Sequence, residues 1–280
     1  MPARDRLPPP LAGAGIAAVE IRAHHLWDPT KRAEDPTHGM PVDLILVARD
    51  FDRLKSLANR LSGNDGVVVT PLAADLTRAA DLERVVGKLR EDAEISLLVN
   101  CAGIGPNGPL LGSDPNGLGK MVQLNVDVLH SLTVTAAHTF ARRRQGAIVN
   151  IASVVALMPE RFNATYVATK AFVLALTQAL SAELEPHGVR MQAVLPGFTR
   201  TEIFDRAGID ISVIPADMMM DAGELVDAAL AGFDRGEVVT IPSLADSELW
   251  EQHERTRRDL GPHLSLKHAA ARYRPRGETR

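Results

Sequence analysis

Tyr166 and Lys170 stand four residues apart in Tyr-Val-Ala-Thr-Lys, and Ser153 lies thirteen residues before the tyrosine, at the end of the apolar run Ala-Ile-Val-Asn-Ile-Ala. Positions i and i+4 share one helix face, so a phenol and an ammonium at this spacing can meet the same ligand. A serine leaving a strand can face that phenol across a cleft. A neighbouring cation favours phenolate and draws a tyrosine pKa down from about 10 toward working pH, where it exchanges protons with an alcohol or carbonyl. Tyr-x-x-x-Lys also arises on amphipathic helices that do no chemistry, so the elements that position the three residues decide the reading.

Short apolar runs alternate with helical patterns, which predicts parallel strands joined by right-handed crossovers. Leu44-Ile45-Leu46-Val47 reads as a fully buried strand. A helix over 52–61, a strand over 67–71 and a helix over 79–90 follow. After a strand at 95–99 comes a loop rich in Gly and Pro (103–116), then a long helix over 117–143 whose Arg142-Arg143-Arg144 end reads as a solvated terminus. The strand over 147–152 delivers Ser153, and a helix over 163–184 carries Tyr166 and Lys170 before Pro186-His187-Gly188 stops it. Strands over 189–195 and 237–241 close the series.

This arrangement resembles the short-chain dehydrogenase/reductase family from about Pro41 to Leu195 and beyond. Asn100-Cys101-Ala102-Gly103 looks like the family's Asn-Asn-Ala-Gly element, and Asn125 matches its helix asparagine. Ser153, Tyr166 and Lys170 match its serine, tyrosine and lysine, Pro196-Gly197 its turn behind the nicotinamide, and Asp75 the aspartate that meets the adenine ring. The resemblance implies an α/β fold with a doubly wound, mostly parallel Rossmann-like sheet, whose N-terminal strand and glycine loop are atypical here. It implies catalytic roles for Asn125, Ser153, Tyr166 and Lys170. It further implies a cofactor site made of Arg49, Asp75, Asn100, Ala102, Gly103, Tyr166, Lys170, Pro196, Gly197 and Thr199. The expected organisation is an atypical segment over 1–40, a dinucleotide-binding and catalytic domain over 41–245 with a substrate lid at 198–221, and a C-terminal helix and tail over 246–280.

Cofactor choice is read after the second family strand, where a carboxylate binds the ribose hydroxyls of NAD and an arginine takes a 2′-phosphate. Here Ala48 stands where the acid usually is, and Arg49 offers a fork suited to phosphate. NADP(H) is therefore favoured over NAD(H).

The family opens with a strand and a glycine-rich loop that approaches the pyrophosphate. Nothing before Leu44 reads that way. Gly13-Ala14-Gly15-Ile16-Ala17-Ala18 fits G-x-G-x-x-A but follows Pro8-Pro9-Pro10 rather than a strand, which makes it a decoy. One account is a shifted reading frame upstream of Gly39; the coding DNA tests it. Loss of this central strand would leave its neighbours' backbone unpaired unless residues 15–23 substitute. The alternative to an active enzyme is thus a catalytically impaired or nucleotide-binding-only relative. His24 and His25 lack a ligand partner at suitable spacing, so no metal site is expected.

Composition sets the remaining bounds. The 280 residues are 45% apolar yet only 4% aromatic, so Ala, Val and Leu must fill the core. A net charge of −4 gives no electrostatic reason to expect nucleic acid or an anionic membrane. The single cysteine, Cys101, excludes an internal disulfide, reads as a small buried residue, and fits a reducing, cytoplasmic compartment. No run of 18 apolar residues indicates a spanning helix. Small residues at 164, 168, 171, 175, 179 and 182 line one side of the Tyr166 helix and predict a homodimer or homotetramer contact. Ile203, Phe204, Ile211, Ile214 and Met218-Met219-Met220 in the lid predict an apolar wall for a small carbonyl or alcohol substrate.

Overall fold

The computed structural model describes residues 18–22, 43–62, 68–106, 108–201 and 214–273. Met1–Pro242 and Ser243–Arg280 form separate compact units. The first unit is built on a seven-stranded sheet: β1 (Ala18–Arg22), β2 (Asp43–Ala48), β3 (Val69–Ala73), β4 (Ile95–Asn100), β5 (Gly146–Ile151), β6 (Val189–Val194) and β7 (Val239–Thr240), in the order β3-β2-β1-β4-β5-β6-β7. The pairs β2/β3, β4/β5, β5/β6 and β6/β7 are parallel.

Helices cover both faces, as period-2 burial in β2 requires. Leu44, Leu46 and Ala48 pack with Leu54, Leu57 and Leu61 of α1 (Phe51–Leu61), whereas Ile45 and Val47 join the opposite core. That second core takes Val85, Val86 and Leu89 from α2 (Ala79–Glu91) and Leu132, Ala136 and Phe140 from α4 (Leu129–Arg143). The chain winds outward from β2 to β3 and then returns to β4, so the order reverses between β2 and β4; a ligand crevice is expected at the carboxyl ends of the strands there.

The atypical N-terminus fills the central slot. β1 pairs with both β2 and β4, antiparallel to each, with Ala18 opposite Val47 and Asn100. Residues 18–22 therefore supply the backbone partners that β2 and β4 need, as a substitute strand must. Its direction means that β1 ends at the amino edge of its parallel neighbours, so no glycine turn can follow it at the carboxyl edge. The Gly13–Gly15 motif, His24, His25 and the shifted-frame reading lie outside the described residues.

The predicted long helix is interrupted. α3 (Pro115–Val122) passes into a π-helical segment, Gln123–Val128, before α4 begins. The end of α4 also departs from expectation, because Arg143 is a clamp rather than a solvated terminus. Its guanidinium donates to the carbonyls of Ala93 at 2.7 Å, Ile95 at 3.1 Å and Asp92 at 3.2 Å, and Arg144 donates to Pro186 O at 2.9 Å.

Gly146 opens β5 with φ +153°, and a Cβ there would stand 2.4 Å from the ring of Phe140, which is fully buried. Gly146→Ala is expected to cost about 2–3 kcal/mol through overpacking. A denaturant midpoint equal to that of the parent protein would remove this steric account.

α5 (Ala164–Leu184) carries Tyr166 and Lys170, and α6 (Ala222–Asp234) joins β6 to β7. By length and composition the stretch Ala164–His187 could cross a membrane, contrary to the expectation that no such segment exists. Val167, Lys170, Val173, Leu174, Thr177 and Leu184 on it are nevertheless buried within the protein. In the second unit, α7 (Ser247–Asp259) is capped by Asp246 and buries none of its residues.

Candidate active site

Most of the expected site residues follow the carboxyl end of a parallel strand. Arg49 follows β2, Asp75 comes two residues after β3, Ala102 and Gly103 follow β4, Ser153 follows β5, and Pro196, Gly197 and Thr199 follow β6. One edge of the sheet thus gathers positions spread over 150 residues of sequence.

Ser153 is extended (φ −173°), and its Oγ donates to Pro196 O at 3.3 Å while accepting from Val155 N at 3.3 Å. Its hydroxyl is close enough to the Tyr166 phenol to draw the phenol pKa down. Tyr166 occupies the first turn of α5. One turn later Lys170 Nζ lies 5.8 Å from the phenol ring centroid and donates to Ile151 O at 2.8 Å. The three residues read from spacing therefore converge.

Their electrostatics differ from expectation. Burial pushes the Tyr166 pKa up to about 12, with the Ser153 hydroxyl acting in the opposite direction. Burial also pulls Lys170 down to about 8, opposed by Cys101. Desolvation disfavours both charged forms more than a cation at this distance favours phenolate, so the phenol is a held acid rather than an acidified one. Cys101 is exposed rather than buried, although enough protein surrounds the thiol to push its pKa up, with Lys170 lowering it.

Asn125 lies in the π segment, where its side chain is tied into protein. Its Oδ1 accepts from Ile104 N at 2.8 Å, and its Nδ2 donates to Ile104 O at 3.0 Å and Thr169 Oγ1 at 3.3 Å. These bonds clamp the chain just past Gly103. A Cβ on Gly103 would meet Asn125 Oδ1 at 3.4 Å and Lys170 Nζ at 3.8 Å, so a side chain there would press on both polar groups.

Asn100 turns inward. Its Nδ2 donates to Thr133 Oγ1 at 3.0 Å and Asn150 Oδ1 at 2.9 Å, and Asn150 Nδ2 donates to Thr177 Oγ1 at 3.0 Å. All four side chains are buried, so this network ties β4, β5, α4 and α5 together beneath the cleft. Asn150, Thr133 and Thr177 went unrecognised in the sequence, because a polar residue in an apolar run does not name its partner.

At the far end of the cleft, Asp75 Oδ1 accepts from Thr77 Oγ1 at 2.7 Å and Thr77 N at 3.0 Å. The Thr77 hydroxyl is the main influence holding the Asp75 carboxyl below its usual range against burial, and Arg49 and Arg78 lower it further. Arg49 and Asp75 are thus neighbours, joined by Arg78, which the motif comparison missed. Past β6, Thr199 Oγ1 donates to Gly197 O at 3.3 Å, and Thr199 bridges Met220 in parallel fashion. Ile203, Phe204 and Ile211 lie outside the described residues; Ile214, Met219 and Met220 are half-buried and Met218 is exposed.

The donor set fits a dinucleotide. Two guanidiniums and a carboxylate stand past β2 and β3, small residues leave backbone accessible after β4, a hydroxyl follows β5, and an ammonium and a phenol stand on α5.

The comparisons agree with this geometry. Residues 37–211 match the family model for short chain dehydrogenase. A short-chain dehydrogenase from Sphingobium yanoikuyae, solved in complex with NADPH, is 48% identical, with a TM-score of 0.80 over 83% of this chain and 90% of that one. The bulky-bulky ketone specific alcohol dehydrogenase from Comamonas testosteroni is 42% identical, with a TM-score of 0.76 over 83% of this chain and 89% of that one. Among curated relatives, a short chain dehydrogenase of Pseudocercospora fijiensis is 31% identical over 166 residues, a match that spans 58% of this chain and only 53% of that protein. With the family model covering 37–211, the sheet order β3-β2-β1-β4-β5-β6-β7 and Ser153, Tyr166 and Lys170 at one edge, the chain belongs to the short-chain dehydrogenase family of nicotinamide-dependent oxidoreductases.

Proposed function

We propose that this chain reduces ketones flanked by two sizeable groups, and oxidises the matching secondary alcohols, with NADP(H). The observation that carries the reading is the Lys170 ammonium 5.8 Å from the Tyr166 ring, with the Ser153 hydroxyl near enough to act on the phenol. A bound nicotinamide supplies the hydride. In reduction Tyr166 donates its proton to the carbonyl oxygen, and in oxidation it accepts the alcohol proton. The Ser153 hydroxyl hydrogen-bonds that oxygen where negative charge develops. Lys170 holds the ribose hydroxyls of the cofactor. Asn125 keeps the turn after Gly103 in place and sets a proton relay toward Lys170.

The substrate class draws on the ketone specificity of the Comamonas relative. It also fits the exposed apolar side chains of Leu110, Leu111, Phe162 and Met218. An impaired or binding-only form is not favoured: the Ser153, Tyr166 and Lys170 constellation is assembled, and the relatives are oxidoreductases. Self-association through α5 fits the exposure of Ala164, Ala168, Ala175, Ala179 and Ala182 on one side of it. A cytoplasmic setting fits the free thiol of Cys101.

Cofactor preference rests on Arg49, since a hydrogen bond to a charged group contributes roughly 1.5–3 kcal/mol. The test follows NADPH or NADH absorbance after addition of diaryl and dialkyl ketones. Turnover with NADPH should exceed that with NADH at least about tenfold in kcat/KM, and Arg49→Ala should erase most of the difference while sparing NADH. Equal use of both cofactors would remove the assignment to Arg49, and no turnover of any ketone would remove the substrate class.

A further inference from the structure

We propose that Asn163 is a positioning and specificity-determining residue, a two-ended latch that joins the first turn of the catalytic helix to the loop carrying Leu110 and Leu111. The inference rests on the ketone-reducing reading above. Asn163 is the N-cap of α5 and only 8% exposed. Its Oδ1 accepts from the backbone N–H of Tyr166 at 3.2 Å, and its Nδ2 donates to Gly108 O at 3.0 Å. The orientation of the amide is set by chemistry, since Tyr166 offers only a donor there and Gly108 only an acceptor.

A helix cap alone does not require asparagine. Asp and Ser accept from a first-turn N–H about as well. What only the amide adds is a donor that reaches Gly108. Gly108 is exposed and left-handed (φ +78°), with open space where a Cβ would be, so no side chain packs against that point and the Asn163 bond ties the backbone there. The loop is fixed at its start by Asn125, which takes both polar groups of Ile104. Asn163 fixes it again just before Leu110 and Leu111, which are 44% and 98% exposed, while Phe162 beside the latch is 36% exposed. One side chain thus sets both the backbone under the Tyr166 phenol and the place of an apolar loop beside it. Release of the donor end should widen the side of the cleft that receives one flank of a ketone, with Tyr166 still capped in place.

The test compares the parent protein with Asn163→Asp, which keeps the cap but cannot donate, and Asn163→Ser, whose hydroxyl caps but falls short of Gly108. Both should melt within about 2 °C of the parent. NADPH affinity should stay within about twofold, because the substitutions touch no cofactor contact. The KM for a diaryl ketone should rise about tenfold while that for a small methyl ketone moves less than twofold, as expected for loss of one hydrogen bond at an apolar wall. Amide hydrogen exchange over 108–112 should quicken about tenfold in both variants. Unchanged exchange, or an equal loss on both ketones, overturns the latch. Should Asp fail to fold, Ser and the exchange data decide. If the parent turns over neither ketone, the ketone-reducing reading falls while exchange at 108–112 still decides whether the latch exists.

Discussion

Tyr166→Phe is expected to lower ketone turnover by about three to four orders of magnitude, the upper range for loss of a general acid, while NADPH binds within about twofold of its parent affinity. The substitution removes one oxygen and keeps the ring, so the packing of the first turn of α5 survives and the Asn163 cap is untouched. What is lost is the hydroxyl on which Ser153 acts. Burial pushes that phenol to about 12, so it keeps its proton across the neutral range and is charged with an acid's proton when a carbonyl arrives. The Ser153 hydroxyl, though close, also donates to Pro196 O and has an ordinary alcohol acidity, so it cannot take over the transfer. Stopped-flow NADPH oxidation at saturating ketone measures the effect. A variant that keeps more than about a tenth of the parent rate would take Tyr166 out of the proton-transfer step.

The part of this molecule legible in the sequence is the part governed by local pattern. Short apolar runs such as Leu44–Val47 and Ile95–Val99, the second broken only by Ser96, read as strands buried on both faces, and Leu44–Val47, Ile95, Leu97 and Leu98 are buried. Because every such strand runs the same way in a parallel sheet, residues just past their ends must share one edge, which brings Arg49, Gly103, Ser153 and Gly197 together. The misses are relations between distant segments. Ala18–Arg22 has strand-like residues, but nothing in them encodes an antiparallel approach to β2 and β4. The π segment around Asn125 breaks the 3.6-residue period over six residues only, too few to register in a pattern. Asn163 had the signature of a cap, an asparagine ahead of an alanine-rich run, yet its second bond, to Gly108, exists only in three dimensions. The Tyr166 acidity was misjudged for the same reason: the i, i+4 spacing shows a cation nearby but not the desolvation that outweighs it.

Lys170→Met should lower kcat/KM by about two to three orders of magnitude yet make folding stability less dependent on pH. Lys170 is 7% exposed, and its folded pKa, about 8, lies below the ordinary lysine value of 10.5. The folded state therefore binds fewer protons than the unfolded state between these values, and stability rises with pH through that window. Below pH 8 the buried ammonium carries its full cost, on the order of 3 kcal/mol from the depression of its pKa. Methionine removes this cost but leaves Ile151 O without the donor that now lies 2.8 Å away, an opposing penalty of roughly 1–3 kcal/mol. The two terms nearly cancel at pH 7, so the midpoint there says little. Their difference does not cancel across pH. Relative to Lys170→Met, the parent should gain on the order of 3 kcal/mol between pH 7 and pH 10.5, measured by urea unfolding at both values. Parallel stability curves would mean that Lys170 is solvated in the folded protein, and an ammonium free in water could not be held beside Tyr166 to order a ribose. Activity supplies the other half. Loss of the cation should reduce kcat/KM by about two to three orders of magnitude, with most of the change in NADPH affinity, since Lys170 and the clamp at Ile104 face the same point above Gly103.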